Sequence, residues 1–288
     1  MRVTVAGAGM AGLVAAARLR QLGCVPRLLE KGSRPGGSML LSSGVVWRHL
    51  DWERFRAECP RGEEPLQRLI WERLDGALRW LESLGAEPVW RDTENPITTG
   101  RRYRPADLTR LLVRAAGGVE LGTPLADPEP PLLLATGGFA AQLARRRGLL
   151  LRANPWSEGD GLALASARGA AFAGDEDEFY GRVMPAPPAR VDERDFVPLA
   201  QLYGRDARIL SPRGEDVTPA MVAWHENDLA QLVGRFGAEG AWYVASRSNE
   251  RIEAARAAGG TVVERPDGTV AVHVVAGVTH TLGGLRVD

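Results

Sequence analysis

Lysine is almost missing from this 288-residue chain: Lys31 stands alone, and every other basic side chain counted among the 36 is an arginine. The imbalance reads as coding bias rather than chemistry. Net charge is missing too, because 36 acids offset the 36 bases. That argues against nucleic acid or an anionic membrane as partner, since both select a basic excess. Cysteine is scarce: Cys24 and Cys59 stand in no metal-ligand or redox spacing and suggest no disulfide framework. No metal site is expected. Of four histidines, His49, His225 and His273 have no motif around them and read as surface or packing residues. No apolar run approaches the roughly 20 residues a membrane span requires. The chain opens on an apolar strand with no charged leader before it. A cytoplasmic protein with no membrane span is expected, long enough for one large domain or two modest ones.

Glycine is plentiful, and its placement carries the information. Residues 2–6 read as a buried strand, 10–22 as a helix rich in Ala and Leu, and 25–30 as a second strand, a compact βαβ unit. The turn between the first strand and the helix is Gly7-Ala8-Gly9-Met10-Ala11-Gly12. Gly7 suits a tight turn, Gly9 lets backbone amides approach a pyrophosphate, and Gly12 lets the helix lie close on the strand. The positive end of the helix faces the same place. Glu30, 18 residues after Gly12, closes the second strand where a carboxylate accepts hydrogen bonds from a ribose diol. Together these residues predict a dinucleotide cradle. Farther on, Leu66, Leu69, Ile70, Leu74, Leu78, Trp80, Leu81 and Leu84 fall at helical spacing over 63–84. Helices are predicted over 105–116, bounded by Pro105 and Gly117, over about 161–170, and around 220–235. A short strand is predicted over 131–136, and mixed short strands run up to Val275.

The loop after Glu30 names the dinucleotide by resemblance. Lys31-Gly32-Ser33-Arg34-Pro35-Gly36-Gly37-Ser38 resembles the second glycine pair of FAD flavoproteins, and Ala135-Thr136-Gly137-Gly138 resembles their Ala-Thr-Gly turn. With Ser42-Ser43-Gly44, Glu158-Gly159-Asp160-Gly161 and Thr279-His280-Thr281-Leu282-Gly283-Gly284, the order of motifs resembles the fumarate reductase and succinate dehydrogenase flavoprotein family. That family has soluble relatives such as tricarballylate and ketosteroid dehydrogenases. The resemblance implies an α/β fold: an FAD-binding Rossmann-like domain of the glutathione-reductase type, with an inserted α+β cap domain. The expected boundaries are 1–172, with 277–288 returning to it, for the FAD domain and 173–276 for the cap. It implies FAD contacts at Gly7 through Gly12, Glu30, Lys31, Gly36, Gly37, Ser38, Ser42, Ser43, Gly44, Leu125, Ala135, Thr136, Gly137, Gly138, Asp160, Gly283 and Gly284. Leu125 marks a strand position whose backbone reads adenine, and Asp160 either meets the flavin side or caps the helix at 161, or both. His280 is implied as the substrate residue. The 36–44 loop holds no histidine for covalent attachment, so FAD binding is expected to be noncovalent.

Chemistry then follows from the flavin, with hydride passing between its N5 and a carbon beside a carbonyl or carboxylate of a small-molecule substrate. Three departures qualify the resemblance. Gly214-Glu215-Asp216-Val217-Thr218-Pro219-Ala220 puts Asp216 where the family has its proton-donating arginine and Ala220 where it has an acid. Arg213, or Arg182 in Phe179-Tyr180-Gly181-Arg182, is the candidate substitute for that arginine. The 119–134 passage is shorter than the family's strand meander, and the family continues past the position of Asp288. An electron-transfer partner, or a chain supplying that segment, is therefore an expectation. The rival expectations are a noncatalytic or partial flavoprotein and, less favoured, an NAD enzyme.

Overall fold

The computed structural model describes residues 1–126, 128, 130–219 and 226–287. The expected acid position at Ala220, His225, the opening of the 220–235 helix and the terminal Asp288 lie outside the described residues. The chain divides into two compact units, Met1–Ala135 and Thr136–Asp288.

In the first unit, β1 (Arg2–Ala6) lies between two parallel neighbours, β2 (Val25–Leu29) and β5 (Leu132–Leu134). Val3, Val5 and Ala6 are buried, as a central parallel strand requires. Helix α1 (Met10–Gln21) crosses from β1 to β2 and buries Gly12, Leu13, Ala16 and Ala17, small residues that let it lie close to the sheet. The crossover places the N-terminus of α1 at the carboxyl end of β1, where open parallel sheets bind ligands. A two-stranded antiparallel ribbon, β3 (Val45–His49) with β4 (Thr98–Arg102), carries α2 (Trp52–Glu58) and α3 (Glu64–Ser83) between its strands. Helix α4 (Pro105–Ala116) starts on proline and ends at Gly117 in the left-handed region, the asymmetry its sequence predicts.

The apolar stripe of α3 is only half used. Leu78 and Leu81 are buried, while Leu66, Leu69 and Ile70 are exposed. A 20-residue helix is about 30 Å long, and the core of this unit, built on β1, α1 and α4, meets only the last turns.

The second unit is built around one long strand. Its elements run α5 (Ala140–Arg147), β6 (Leu150–Leu151), α6 (Asp160–Ala167), β7 (Phe172–Ala173), β8 (Phe179–Pro185), β9 (Arg208–Leu210), α7 (Glu226–Gly234), β10 (Ala241–Ser246), α8 (Glu250–Ala257), β11 (Val262–Glu264), β12 (Thr269–Thr281) and β13 (Gly284–Leu285). Of the mixed short strands expected up to Val275, β10 and β11 are short, whereas β12 is 13 residues long and runs on to Thr281. Its first half pairs with β10 and β11, and its second half with β8 and β6. Val270, Val272, Val274, Ala276 and Val278 alternate into the core beneath α5 and α7. The compact units therefore part at Ala135 rather than at 172. Residues 150–151 and 179–185 hydrogen-bond to opposite edges of one strand, so a boundary between them would cut the sheet.

Candidate functional site

In the first unit the glycine turn and the loop after Glu30 fold onto each other. Gly36 donates its N–H to the Ala8 carbonyl at 2.8 Å and bridges to Gly9, so the second glycine pair lies against the first. Gly36 holds a φ of 110°, and a Cβ there would press on Leu40 and Thr109, so only glycine fits. Gly12 is needed by the fold itself, because a Cβ would come within 1.8 Å of the Gly7 carbonyl oxygen. Gly9 differs: the nearest atom to a Cβ there is 3.9 Å away, in Gly37. No protein neighbour demands a glycine at position 9. The open side is what a pyrophosphate approaching α1 would occupy, and no side chain caps that helix terminus. The residues present therefore fit a dinucleotide.

Glu30 is buried, at 6 % exposure, and its carboxylate is tied to backbone. Oε2 accepts from the Ala8 N–H at 3.0 Å and Oε1 from the Gly32 N–H at 2.8 Å. It thus clamps the glycine turn to the following loop, a role the sequence did not disclose, with lone pairs remaining for a diol. Residues 120–123 dock along the same edge: Glu30 donates to the Glu120 carbonyl and Thr123 donates to the Glu30 carbonyl, both at 2.9 Å. Leu125 follows, half-buried and outside any strand, so the strand expected there is replaced by this short docked segment. Ser42 closes its own turn, donating to the Met39 carbonyl and accepting from the Gly44 N–H. His49 is a packing residue, stacked on Phe55 with Nε2 2.9 Å from Glu58.

In the second unit, the turn at Thr136, Gly137 and Gly138 meets two other motifs. A Cβ on Gly161 would come within 2.2 Å of the Thr136 hydroxyl, and one on Gly138 within 2.1 Å of the Thr281 hydroxyl. The Phe139 N–H donates to that Thr281 oxygen at 3.3 Å. Three motifs distant in sequence are thus brought together by close backbone contact. Gly159 occupies the cap position of α6, so Asp160 is its first residue and not its cap, an acid in the first turn, where the positive end of the helix favours it. Gly283 packs against Phe172, whereas Gly284 has open space around it.

His280 lies at the far end of β12. Its ring stacks on Tyr180 of β8, centroids 5.0 Å apart and planes 18° from parallel. The register slips between Val278 and His280, a bulge at Thr279 that re-aims the strand, as bulges beside functional sites do. One side of His280 is open to solvent, yet the surrounding protein removes enough water to pull its pKa below the ordinary imidazole value. Burial therefore disfavours the charged form of the ring. Arg182, opposite Gly277 in the register, lies 3.1 Å from Glu226 and 5.7 Å from the Tyr203 ring centroid. Burial works against the Arg182 charge, but Tyr180 and Glu226 outweigh it and hold its pKa above the usual value. Arg152, just after β6, donates Nε to the Phe196 carbonyl at 2.7 Å and Nη1 to the Thr279 hydroxyl at 2.9 Å. Burial, then the like charge of Arg182, push its pKa down to about 10.

Of the two proposed arginines, this geometry joins Arg182 to His280 through Tyr180. Arg213 is exposed in the turn after β9, with β10 intervening between β9 and β12. Asp216 pairs with Arg208 at 3.1 Å and holds Thr218, serving that turn. Sequence reading missed Arg152, Tyr180 and Glu226. The one available signal was an arginine directly after the apolar run Leu149-Leu150-Leu151. Among the described residues no group of three His, Cys, Asp or Glu could hold a metal, and no helix is long and apolar enough to cross a membrane.

A parallel βαβ unit with an uncapped glycine turn defines a dinucleotide-binding α/β protein. Residues 5–44 match the family model described as an NAD(P)-binding Rossmann-like domain. The fold is also that of solved flavoprotein reductases and dehydrogenases. The chain superposes on the open conformation of a flavocytochrome c3 fumarate reductase with a TM-score of 0.64 at 16% identity, covering 100% of this chain and 68% of that one. The 3-ketosteroid-Δ4-(5α)-dehydrogenase from Rhodococcus jostii RHA1 gives 0.63 at 16% identity, covering 99% and 85%. The Mycobacterium smegmatis Sdh1 complex gives 0.66 at 16% identity, covering 100% and 60%. No curated protein matches the chain.

Proposed function

We propose that this chain is an FAD-dependent oxidoreductase acting on a small carbonyl or carboxylate compound. The observation that carries the reading is the open side of Gly9 at the uncapped start of α1, with the second glycine pair folded onto it. The first unit would hold the adenosine diphosphate part, with Gly7 through Gly12, Gly36 and Gly37 about the phosphates and Glu30 at the ribose. Lys31, Ser38, Ser42, Ser43, Gly44, Leu125 and Ala135 belong to the same assignment. Within the second unit, Thr136, Gly137, Gly138, Asp160, Gly283 and Gly284 are assigned to the flavin part by the same reading, and His280 to the substrate. When bound, FAD supplies a hydride acceptor or donor at its ring N5. The His280 imidazole, whose charged form burial disfavours, offers a hydrogen bond to a substrate oxygen. Arg182, paired with Glu226, supplies the cation beside it, in place of Arg213 and of the arginine that position 216 does not hold. An electron-transfer partner is part of the proposal.

The rival is a noncatalytic flavoprotein, and the engagement of Asp216 with Arg208 and Thr218 favours it. The test is the visible spectrum of the purified protein titrated with FAD and, separately, NAD. Saturable FAD binding with bleaching on addition of a carboxylate or ketone supports the enzyme. FAD binding with no bleaching by any such compound supports the rival, and preference for NAD rejects both.

A further inference from the structure

Strand β8 has one strand partner among the described residues, β12, so its other edge needs hydrogen-bond partners from elsewhere. Helix α7 supplies them with side chains. The Asn227 Oδ1 accepts from the Gly181 N–H at 2.9 Å, and the Gln231 Nε2 donates to the Phe179 carbonyl. The spacing explains the match: four residues of a helix rise about 6 Å, and two residues of a strand about 6.6 Å. Glu226 extends the row, 3.1 Å from Arg182. At the other end Gly234 packs on the Phe179 ring, where a Cβ would stand 3.2 Å from Cζ. Helix and strand thus run antiparallel, with Glu226, Asn227 and Gln231 meeting Arg182, Gly181 and Phe179 in turn.

The two backbone anchors, at Phe179 and Gly181, bracket Tyr180. That residue faces His280 across the ladder, and its ring stacks on the imidazole at 5.0 Å and 18°. The register slips here, between Val278 and His280, and such a bulge leaves its extra residue out of the ladder. Pairing with β12 is therefore interrupted where Tyr180 has to be held, and the anchors from α7 grip the residues on either side of it. Gly181 lets the two strands close up beside the bulge, since a Cβ there would fall 2.6 Å from the Gly277 carbonyl oxygen.

We infer that Asn227, assisted by Gln231, is a positioning residue of the His280 site, fixing the Tyr180 ring against the imidazole from the outer edge of β8. The stacked ring limits rotation of the His280 side chain, and so sets the direction in which its nitrogens offer hydrogen bonds. Asn227 acts through Tyr180 alone. The inference rests on the assignment of His280 to the substrate, and not on which dinucleotide the first unit holds.

Proton NMR of the full chain tests it through the imidazole signals of His280, assigned by their loss in His280→Gln. Spectra are taken at about pH 8.5, about two units above the ordinary imidazole pKa, so that protonation does not move them. A ring stacked on the imidazole displaces these signals upfield, and Tyr180→Leu marks their unstacked position. Asn227→Leu leaves the Gly181 N–H without its acceptor and should shift the signals most of the way to that position. Asn227→Asp keeps an acceptor oxygen and should restore them. Gln231→Met should shift them in the same direction, and it decides the matter if Asn227→Leu does not fold. Asn249→Ala removes the cap that accepts from the Arg251 N–H at 3.1 Å; it controls for a general loss of stability and should leave the signals in place. Unmoved signals in folded Asn227→Leu or, failing that, in Gln231→Met would overturn the inference. So would a failure of aspartate to restore them, or an equal shift in Asn249→Ala. The substrate reading fails separately: if no carboxylate or ketone bleaches FAD bound to the wild-type chain while the Asn227 series behaves as expected, the positioning stands and the assignment of His280 to the substrate is lost.

Discussion

Replacing Glu30 with alanine tests whether this carboxylate is a structural clamp as well as a ligand group. The side chain is buried and accepts from Ala8 at 3.0 Å and Gly32 at 2.8 Å. Removing it leaves both N–H groups without that acceptor. An orphaned buried donor costs about 1–3 kcal/mol, so the pair sets an upper range of about 2–6 kcal/mol. Water entering the vacated space should bring the loss toward the lower end, about 2 kcal/mol. Against a domain stability of about 5–15 kcal/mol, the first unit should unfold at visibly lower urea while the second unit keeps its own transition. Glu30→Gln should lose about half as much, since its amide keeps one acceptor and turns a donor toward the other N–H. The assay is urea denaturation followed by backbone circular dichroism and by the near-ultraviolet signal of tryptophans. If alanine costs under about 0.5 kcal/mol, the surface-substitution range, the clamp is refuted. FAD affinity in the surviving folded fraction should still fall by about 1–3 kcal/mol, roughly 5- to 150-fold; unchanged affinity would reject the ribose contact.

Gly9→Ala should leave the melting temperature within about 2 °C, because its Cβ has 3.9 Å of room, yet weaken FAD binding at least tenfold by intruding on the pyrophosphate. Gly12→Ala should destabilise the first unit whether or not ligand is present, its Cβ falling 1.8 Å from the Gly7 oxygen; equal effects of the two substitutions on melting would contradict this assignment. Asp51→Ala removes the cap that accepts from the Arg54 N–H at 2.7 Å and should cost about 0.5–2 kcal/mol in chemical denaturation. Because the folded His280 pKa lies below its unfolded value, the folded chain binds fewer protons. Its contribution to stability is present above the unfolded value near 6.5 and is lost as pH falls through the depressed folded value. An imidazole proton titration by NMR with a midpoint at or above 6.5 would contradict that burial effect.

The first unit was legible in the sequence because its signals are local. The spacing of Gly7, Gly9 and Gly12, the alternation of Val3 and Val5, and the proline and glycine bounding α4 each act within one element or one turn, where steric rules leave few options. Sequence could not separate the reasons for the glycines. A Cβ on Gly12 would fall 1.8 Å from a carbonyl oxygen and one on Gly9 would meet nothing nearer than 3.9 Å, a difference only the folded chain reveals. Nor could it show that the first turns of α3 overhang the core, since periodicity reports a face and not its partner. The second unit depended on non-local pairing throughout. Residues 150–152, 179–185 and 269–281 become neighbours only when β12 accepts β6 on one edge and β8 on the other. Strand pairing joins residues at any separation, so no local pattern foretold that Arg152 and Arg182 would flank Gly277, or that Tyr180 would stack on His280. The sequence by itself determined the dinucleotide turn and its chemistry; the tertiary structure alone decided which charged side chains stand beside His280.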